Sequence, residues 1–282
     1  MEGISINPIL EVDQVRYSYP GTKKEALRGL SLVVPEGRRT AICGHNGSGK
    51  STLFLHAIGI HRPAIGKVSW KGQPLEYSSG RLRELRRKIG LVFQDPEQQL
   101  ILNTPYEDIS YGLRNAGIAE PDIRRRTEHM LSAMGLEQWA QTPMHQLSLG
   151  MKKRIALAGV LVLEPELLLL DEPTAYLDRQ SELQLVEELN RIHAQGITVA
   201  MATHDMNLAY SWADWILVLD GGRCVMEGTP NEVFAQERRI RSLGLDLPIL
   251  YEVWHSLPAS IRRDATPPRT IDSLKRHLSS FS

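Results

Sequence analysis

Leu147-Ser148-Leu149-Gly150-Met151-Lys152-Lys153-Arg154, followed by Leu167-Leu168-Leu169-Leu170-Asp171-Glu172, is the pair of stretches from which the fold can be read. The second is a buried strand ending in two carboxylates, the arrangement with which a nucleoside triphosphatase holds magnesium and activates water. The first is a helix N-terminus, whose unpaired amides suit a phosphate. Upstream, Gly44-His45-Asn46-Gly47-Ser48-Gly49-Lys50-Ser51 fits G-x-x-x-x-G-K-S. Its glycines let backbone amides curl round a triphosphate with no side chain in the way. Lys50 is placed to neutralise the β- and γ-phosphates, and the Ser51 hydroxyl to ligate magnesium. Two phosphate sites and one hydrolytic carboxylate suggest a nucleotide sandwiched between two copies of the chain.

The totals agree with a globular enzyme. A chain of 282 residues can bury a substantial core in one large or two ordinary domains. The formal net charge is zero, so nothing favours long-range attraction to nucleic acid or an anionic membrane. Arg81, Arg83, Arg86, Arg87 and Lys88 alternate with Leu82, Leu85 and Ile89 at helical spacing, which reads as a solvated helix face. Cys43 and Cys224 form no metal-ligand spacing, and Cys43, ending an apolar run, reads as a small core residue. No secretory signal is visible over Met1–Asn7, and the longest apolar run, Ile155–Leu163, is too short to span a bilayer. A soluble chain in a reducing compartment is expected.

Alternation predicts strands over Leu10–Tyr19, Leu27–Val34 and Arg39–Gly44, with Tyr17 to Gly21 as a turn carrying exposed aromatics. The glycine loop opens a helix over Lys50–Ile58; a strand over Gly66–Lys71, a helix over Arg81–Lys88 and a strand over Ile89–Phe93 follow. Helical periodicity over Thr104–Asn115 and Pro121–Met134, with Pro121 at a first helical position, marks 94–146 as a helical subdomain inserted into a sheet domain. A helix from Ser148 to Glu164 must stop at Pro165. Strands at Leu167–Asp171, Thr198–Ala202 and Trp215–Leu219 then alternate with helices at Ser181–Ala194 and Met206–Ala213, before a hairpin at Gly221-Gly222. Such alternation predicts an α/β fold with a mainly parallel core sheet and an antiparallel β part. A domain over 8–230 precedes an extension over 231–282. There Leu247–Trp254 is an apolar cluster, and Pro258–Arg269 reads as loose and polar.

From about Leu10 to Pro230 the chain resembles the nucleotide-binding subunit of an ATP-binding cassette (ABC) transporter, a P-loop ATPase. Phe93-Gln94-Asp95-Pro96 resembles the family's Q-loop, which implies that Gln94 touches magnesium. Leu147 to Met151 resembles the LSGGQ signature, with Leu149 and Met151 where glycine and glutamine are usual. Asp171-Glu172-Pro173-Thr174 and Ala175-Tyr176-Leu177-Asp178 resemble Walker B and the D-loop, and Thr203-His204-Asp205 the H-loop. The resemblance implies ATP and magnesium as ligands, with Glu172, His204 and Lys50 catalytic. Tyr19, Gly44, His45, Asn46, Gly47, Ser48, Gly49, Lys50, Ser51, Thr52 and Gln94 would bind ATP, Tyr19 by stacking on adenine. Ser148, Gly150 and Asp178 would meet the ATP of a second copy, and Ser51, Gln94 and Asp171 would hold magnesium.

Phe93 to Leu100, Glu107 to Leu113 and Ile155 to Leu161 are similar to the ATPases of energy-coupling-factor (ECF) importers, most of all the cobalt ATPase CbiO. That likeness implies a dimer driving a transmembrane coupling subunit, beside a substrate-binding membrane subunit, on the cytoplasmic face of the inner membrane. Asp95 and Glu97 would receive the partner's arginines, and the Leu247–Trp254 cluster would pair two copies, its alternative being a helix that covers its own domain. Nickel or a vitamin would be served by a nearly identical motor. A soluble ABC protein acting on nucleic acid or ribosomes is the competing class; the neutral charge and the lack of a tandem cassette speak against it.

Overall fold

The computed structural model describes residues 7–262 and 265–280. The reading of the first seven residues as free of a secretory signal therefore falls almost wholly outside the described residues. Among those described, no helix is long and apolar enough to cross a membrane.

The chain opens with antiparallel strands β1 (Pro8–Ser18) and β2 (Glu25–Pro35), then enters the core on β3 (Arg39–Cys43). After α1 (Lys50–Ala57) come β4 (Ile65–Trp70), β5 (Gln73–Pro74), α2 (Ser79–Lys88) and β6 (Ile89–Val92). Helices α3 (Pro105–Asn115) and α4 (Glu120–Ala133) fall within 94–146, and α5 (Leu149–Leu161), beyond it in sequence, packs against α3. Next are β7 (Leu167–Asp171), α6 (Arg179–Ala194), β8 (Thr198–Thr203), α7 (Met206–Trp212), β9 (Trp215–Asp220) and β10 (Arg223–Gly228). Five short helices close the chain: α8 (Pro230–Phe234), α9 (Glu237–Ser242), α10 (Ile249–Ser256), α11 (Ala259–Arg262) and α12 (Ile271–Ser279). One sheet has order β2-β1-β4-β5; the other, β10-β9-β3-β8-β7-β6, is parallel except for the β9–β10 hairpin.

The parallel sheet is covered on both faces, and its strands show why a continuous apolar run is required there. In β7, Leu167 and Leu169 pack between the two sheets with α1, whereas Leu168 and Leu170 face the helices on the other side. β3 divides likewise, Ile42 to one core and Ala41 and Cys43 to the other. Burial pushes the Cys43 thiol up to about 12, so it is an inert core residue.

The structure departs from the sequence reading in local ways. α5 ends at Leu161, short of Pro165, because Glu164 turns left-handed at φ 56° ahead of the proline. Pro121 occupies the second position of α4, after Glu120. The turn aromatics differ from each other: Tyr19 is exposed, but Tyr17 stacks on His61 at 4.7 Å and meets His56 edge-on. The basic face of α2 is not simply solvated, since Arg86 donates to the Ile58 and Gly59 carbonyls and Arg87 to that of Ala116. The tail is not loose at its end: Arg269 donates to the carbonyls of Tyr210, Ser211 and Ala213, which close α7, and Pro268 is buried. Within the Leu247–Trp254 cluster, Leu247 and Tyr251 join the helical-side core of their own domain while Ile249 stays 64% exposed.

Candidate nucleotide site

β3 delivers the chain to the glycine loop at the C-terminal end of the parallel sheet, the edge where open α/β sheets bind ligands. Two glycines are required there by geometry. A Cβ on Gly44, at φ 150°, would lie 2.3 Å from the Leu219 carbonyl oxygen, and one on Gly49, at φ 110°, 2.9 Å from Leu27. Gly49 precedes the first residue of α1, so the helix's unpaired amides face the loop. A cleft of about 450 Å³ opens in front of it, lined by Tyr19, Asn46, Gly47, Lys50, Ser51, Thr52, Gln94, Asp171 and Glu172 among others. Its size suits a nucleotide.

The charges in the cleft are buried and held against one another. Lys50 Nζ donates to the Gly44 carbonyl at 2.7 Å and lies 3.3 Å from Glu172 Oε1. Glu172 Oε2 is 2.8 Å from His204 Nδ1. His204 is placed by two caps, the last strand residue Thr203 accepting from the Asp205 amide and Asp205 capping α7. Burial raises the Asp171 carboxyl above its ordinary range, against the opposing hydrogen bond from Ser51. Asp171 Oδ1 and Ser48 Oγ are buried with no hydrogen-bond partner. Such orphaned oxygens beside a hydroxyl fit a hard cation and the oxygens of a phosphate. At the cleft mouth Tyr19 presents its ring while its hydroxyl meets Thr52 Oγ1 at 3.0 Å. Glu172 itself adopts φ 45°, a conformation costing a non-glycine residue about 1–3 kcal/mol.

The signature residues form a second, separate face. Ser148 caps α5 by accepting from the Met151 amide at 3.3 Å. Asp178 caps α6, and the amide and hydroxyl of Ser181 hold its carboxyl below the usual range. Gly150 is small for a reason within its own chain: a Cβ there would lie 3.0 Å from Ser181 Oγ. Ser148, Gly150, Met151 and Ser181 line one hollow, and none of its lining residues also lines the cleft around Lys50. One chain thus carries the cleft and the hollow apart from each other.

A model of the ABC transporter family matches residues 27–175. A putative ABC transporter ATP-binding protein of Nostoc sp. is 49% identical over 87% of this chain and 90% of its own. The chain belongs to the ABC transporter family. The energy-coupling factor transporter ATP-binding protein EcfA of Carboxydothermus hydrogenoformans is 39% identical over 91% of this chain and 93% of its own. Among solved structures, CbiO1 of Clostridium perfringens, part of the ABC transporter complex CbiONQ, matches with a TM-score of 0.75 and 40% identity, covering 88% of this chain and 99% of that one. A dimeric post-hydrolysis state of the ATP-binding cassette MJ0796, bound to ADP and phosphate, matches at TM-score 0.71 and 28% identity, over 78% of this chain and 98% of its own. This ABC ATPase is therefore an ATP-binding, ATP-hydrolysing subunit of the ECF type.

Four contacts of this ATPase escape its linear motifs. Gln99 accepts from the Phe93 amide and donates to the Ala156 carbonyl, stapling the Q-loop to α5. His45 Nε2, facing the Leu243 carbonyl at 2.8 Å, must carry the proton and ties the glycine loop to the C-terminal extension. Lys152 pairs with Glu97 at 2.6 Å. Lys153 is buried, its ammonium 2.8 Å from each of the Pro173 and Ala175 carbonyls; burial lowers it to about 8, opposed by Asp95 and Glu172. No sequence periodicity distinguishes these side chains from solvated ones.

Proposed function

We propose that this ATPase works as a dimer in which each ATP lies between the glycine loop of one copy and Ser148, Gly150 and Asp178 of the other. The separation of the two faces within one chain supports this reading, because the cleft around Lys50 and the hollow at Ser148 share no lining residue. Tyr19 stacks on adenine, and the loop from Gly44 to Thr52 receives the phosphates. Lys50 neutralises the β- and γ-oxygens, Glu172 polarises the attacking water, and His204 bears on the γ-phosphate while restraining Glu172. Ser51, Gln94 and Asp171 would hold magnesium, which would supply further neutralisation of phosphate charge. A second copy of this chain is the partner we favour, since this chain carries every element of the site, and the contact between two copies is then isologous. Glu172→Gln is expected to bind ATP, turn over on the order of 100-fold more slowly and accumulate as a nucleotide-bound dimer. Light scattering with ATP checks the last point; full turnover by this variant removes Glu172 from the mechanism.

Closure drives a separate transmembrane coupling subunit at the cytoplasmic face of the inner membrane, next to a substrate-binding membrane subunit. Asp95 and Glu97 are exposed on the Q-loop turn, where Asp95 accepts from the Glu97 amide, and both suit arginines of that subunit. A groove of about 750 Å³ between α2 and α3, floored by Leu82, Tyr111 and Leu163, suits a helix. Cobalt is the transported ion we favour, on the resemblance to CbiO. Uptake of labelled cobalt by cells expressing the full transporter, against nickel and biotin, tests it.

A further inference from the structure

Lys152 and Lys153 are neighbours on α5 but leave it in different directions. Lys152 reaches the surface and Glu97. Lys153 turns inward, 3% exposed, to the segment that joins Glu172 to Asp178. That segment needs support. Glu172 and Tyr176 are both left-handed, at φ 45° and 63°, and two turn hydrogen bonds hold it, from the Ala175 amide to the Glu172 carbonyl and from the Leu177 amide to the Thr174 carbonyl. Those turns use the carbonyls of residues 172 and 174; Lys153 takes the two that alternate with them, 173 and 175.

A buried ammonium is an expensive way to bridge two carbonyls, since its desolvation is only partly offset by two charge-assisted hydrogen bonds. Lysine is almost never this buried without a specific partner. Its hydrogen-bond partners here are backbone oxygens, so the contact fixes a chain path, while the carboxylates of Asp95 and Glu172 act on the ammonium without bonding to it. The chain path fixed is the one that aims a carboxylate at each end: Glu172 into its own cleft, Asp178 towards the signature face.

We propose that Lys153 is a positioning residue for hydrolysis: it pins the Glu172–Asp178 segment to the signature helix, so that Glu172 keeps its aim and α5 and the hydrolytic carboxylate move as one. The inference rests on the reading of Glu172 as the group that polarises water. A misaimed catalytic group costs rate and leaves affinity, so Lys153→Met in the full-length protein should lower kcat on the order of 10-fold or more with KM for ATP and binding of a fluorescent ATP analogue within about 2-fold. Its thermal midpoint should stay within a few degrees of the parent, or, if the methionine variant folds poorly, that of Lys153→Gln should, with the same loss of kcat. In a Glu172→Gln background the same exchange should add almost nothing, because both act through one carboxylate. Parental kcat in the Lys153 variants overturns the proposal, as does a loss that tracks unfolded protein in both. Additive loss in the double variant also overturns it. Wild-type turnover by Glu172→Gln alone is a different outcome, which sinks the assignment of Glu172 first.

Discussion

The two half-sites of this ATPase are built on opposite principles. Around Lys50 several polar groups are buried and some are under-satisfied: Asp171 Oδ1 and Ser48 Oγ lack partners, and Glu172 is shared between buried Lys50 and exposed His204. Around Ser148 the polar groups are already used, Ser148 and Asp178 as caps of their own helices. The first half is thus primed for a charged ligand, whereas the second is a rigid face that offers a helix terminus. An unsatisfied buried group gains far more from a ligand than a satisfied surface one. The contrast fits the proposal that one face binds the nucleotide and the other completes the site of a second copy.

Four exchanges break or sharpen that contrast. The largest effect is expected from disabling each half separately. Lys50→Ala should abolish turnover, by about 1,000-fold, through loss of the phosphate-neutralising charge. Ser148→Arg should lower it about 100-fold with ATP affinity of the dilute chain unchanged, because the cleft is untouched. Mixing the two inactive chains should restore activity, since one of the two composite sites in a mixed dimer carries neither exchange. No recovery, measured by phosphate release, contradicts a site shared between copies. A smaller effect is expected at the cleft mouth. Tyr19→Ala should weaken ATP about 10-fold, as loss of an aromatic stack costs ~1–3 kcal/mol, and leave kcat nearly unchanged. The smallest effect is expected at Leu149, the half-buried first residue of α5. Leu149→Gly should keep turnover within about 3-fold, since helix amides near an N-terminus remain available whatever side chain starts the helix; a collapse would give Leu149 a part in closing the site.

The C-terminal extension shows what linear reading can miss. Its apolar cluster left two alternatives open, pairing of two copies or cover for one domain. Tyr251 and Leu247 do pack into their own domain's core, and His45 fastens the glycine loop to the Leu243 carbonyl. Ile249 and Val253 remain outside, at 64% and 40% exposure, so the same helix keeps an apolar edge. Pairing through that edge is a proposal about a second copy.

By itself the sequence determined the parts whose physics is local. A glycine loop before a helix, a leucine strand ending in Asp171-Glu172 and a capped helix at Ser148 each follow from spacing and side-chain type within a few residues. Only the tertiary structure decided which distant atoms answer them. A Cβ on Gly150 would lie 3.0 Å from Ser181 Oγ, Lys153 is buried because the Pro173 and Ala175 carbonyls lie in its reach, and Arg269 is bound where α7 ends. The reason is that a lysine or arginine in a helix has the same pattern whether its head meets water or a buried carbonyl. The choice is made by the packing of elements far apart in the chain.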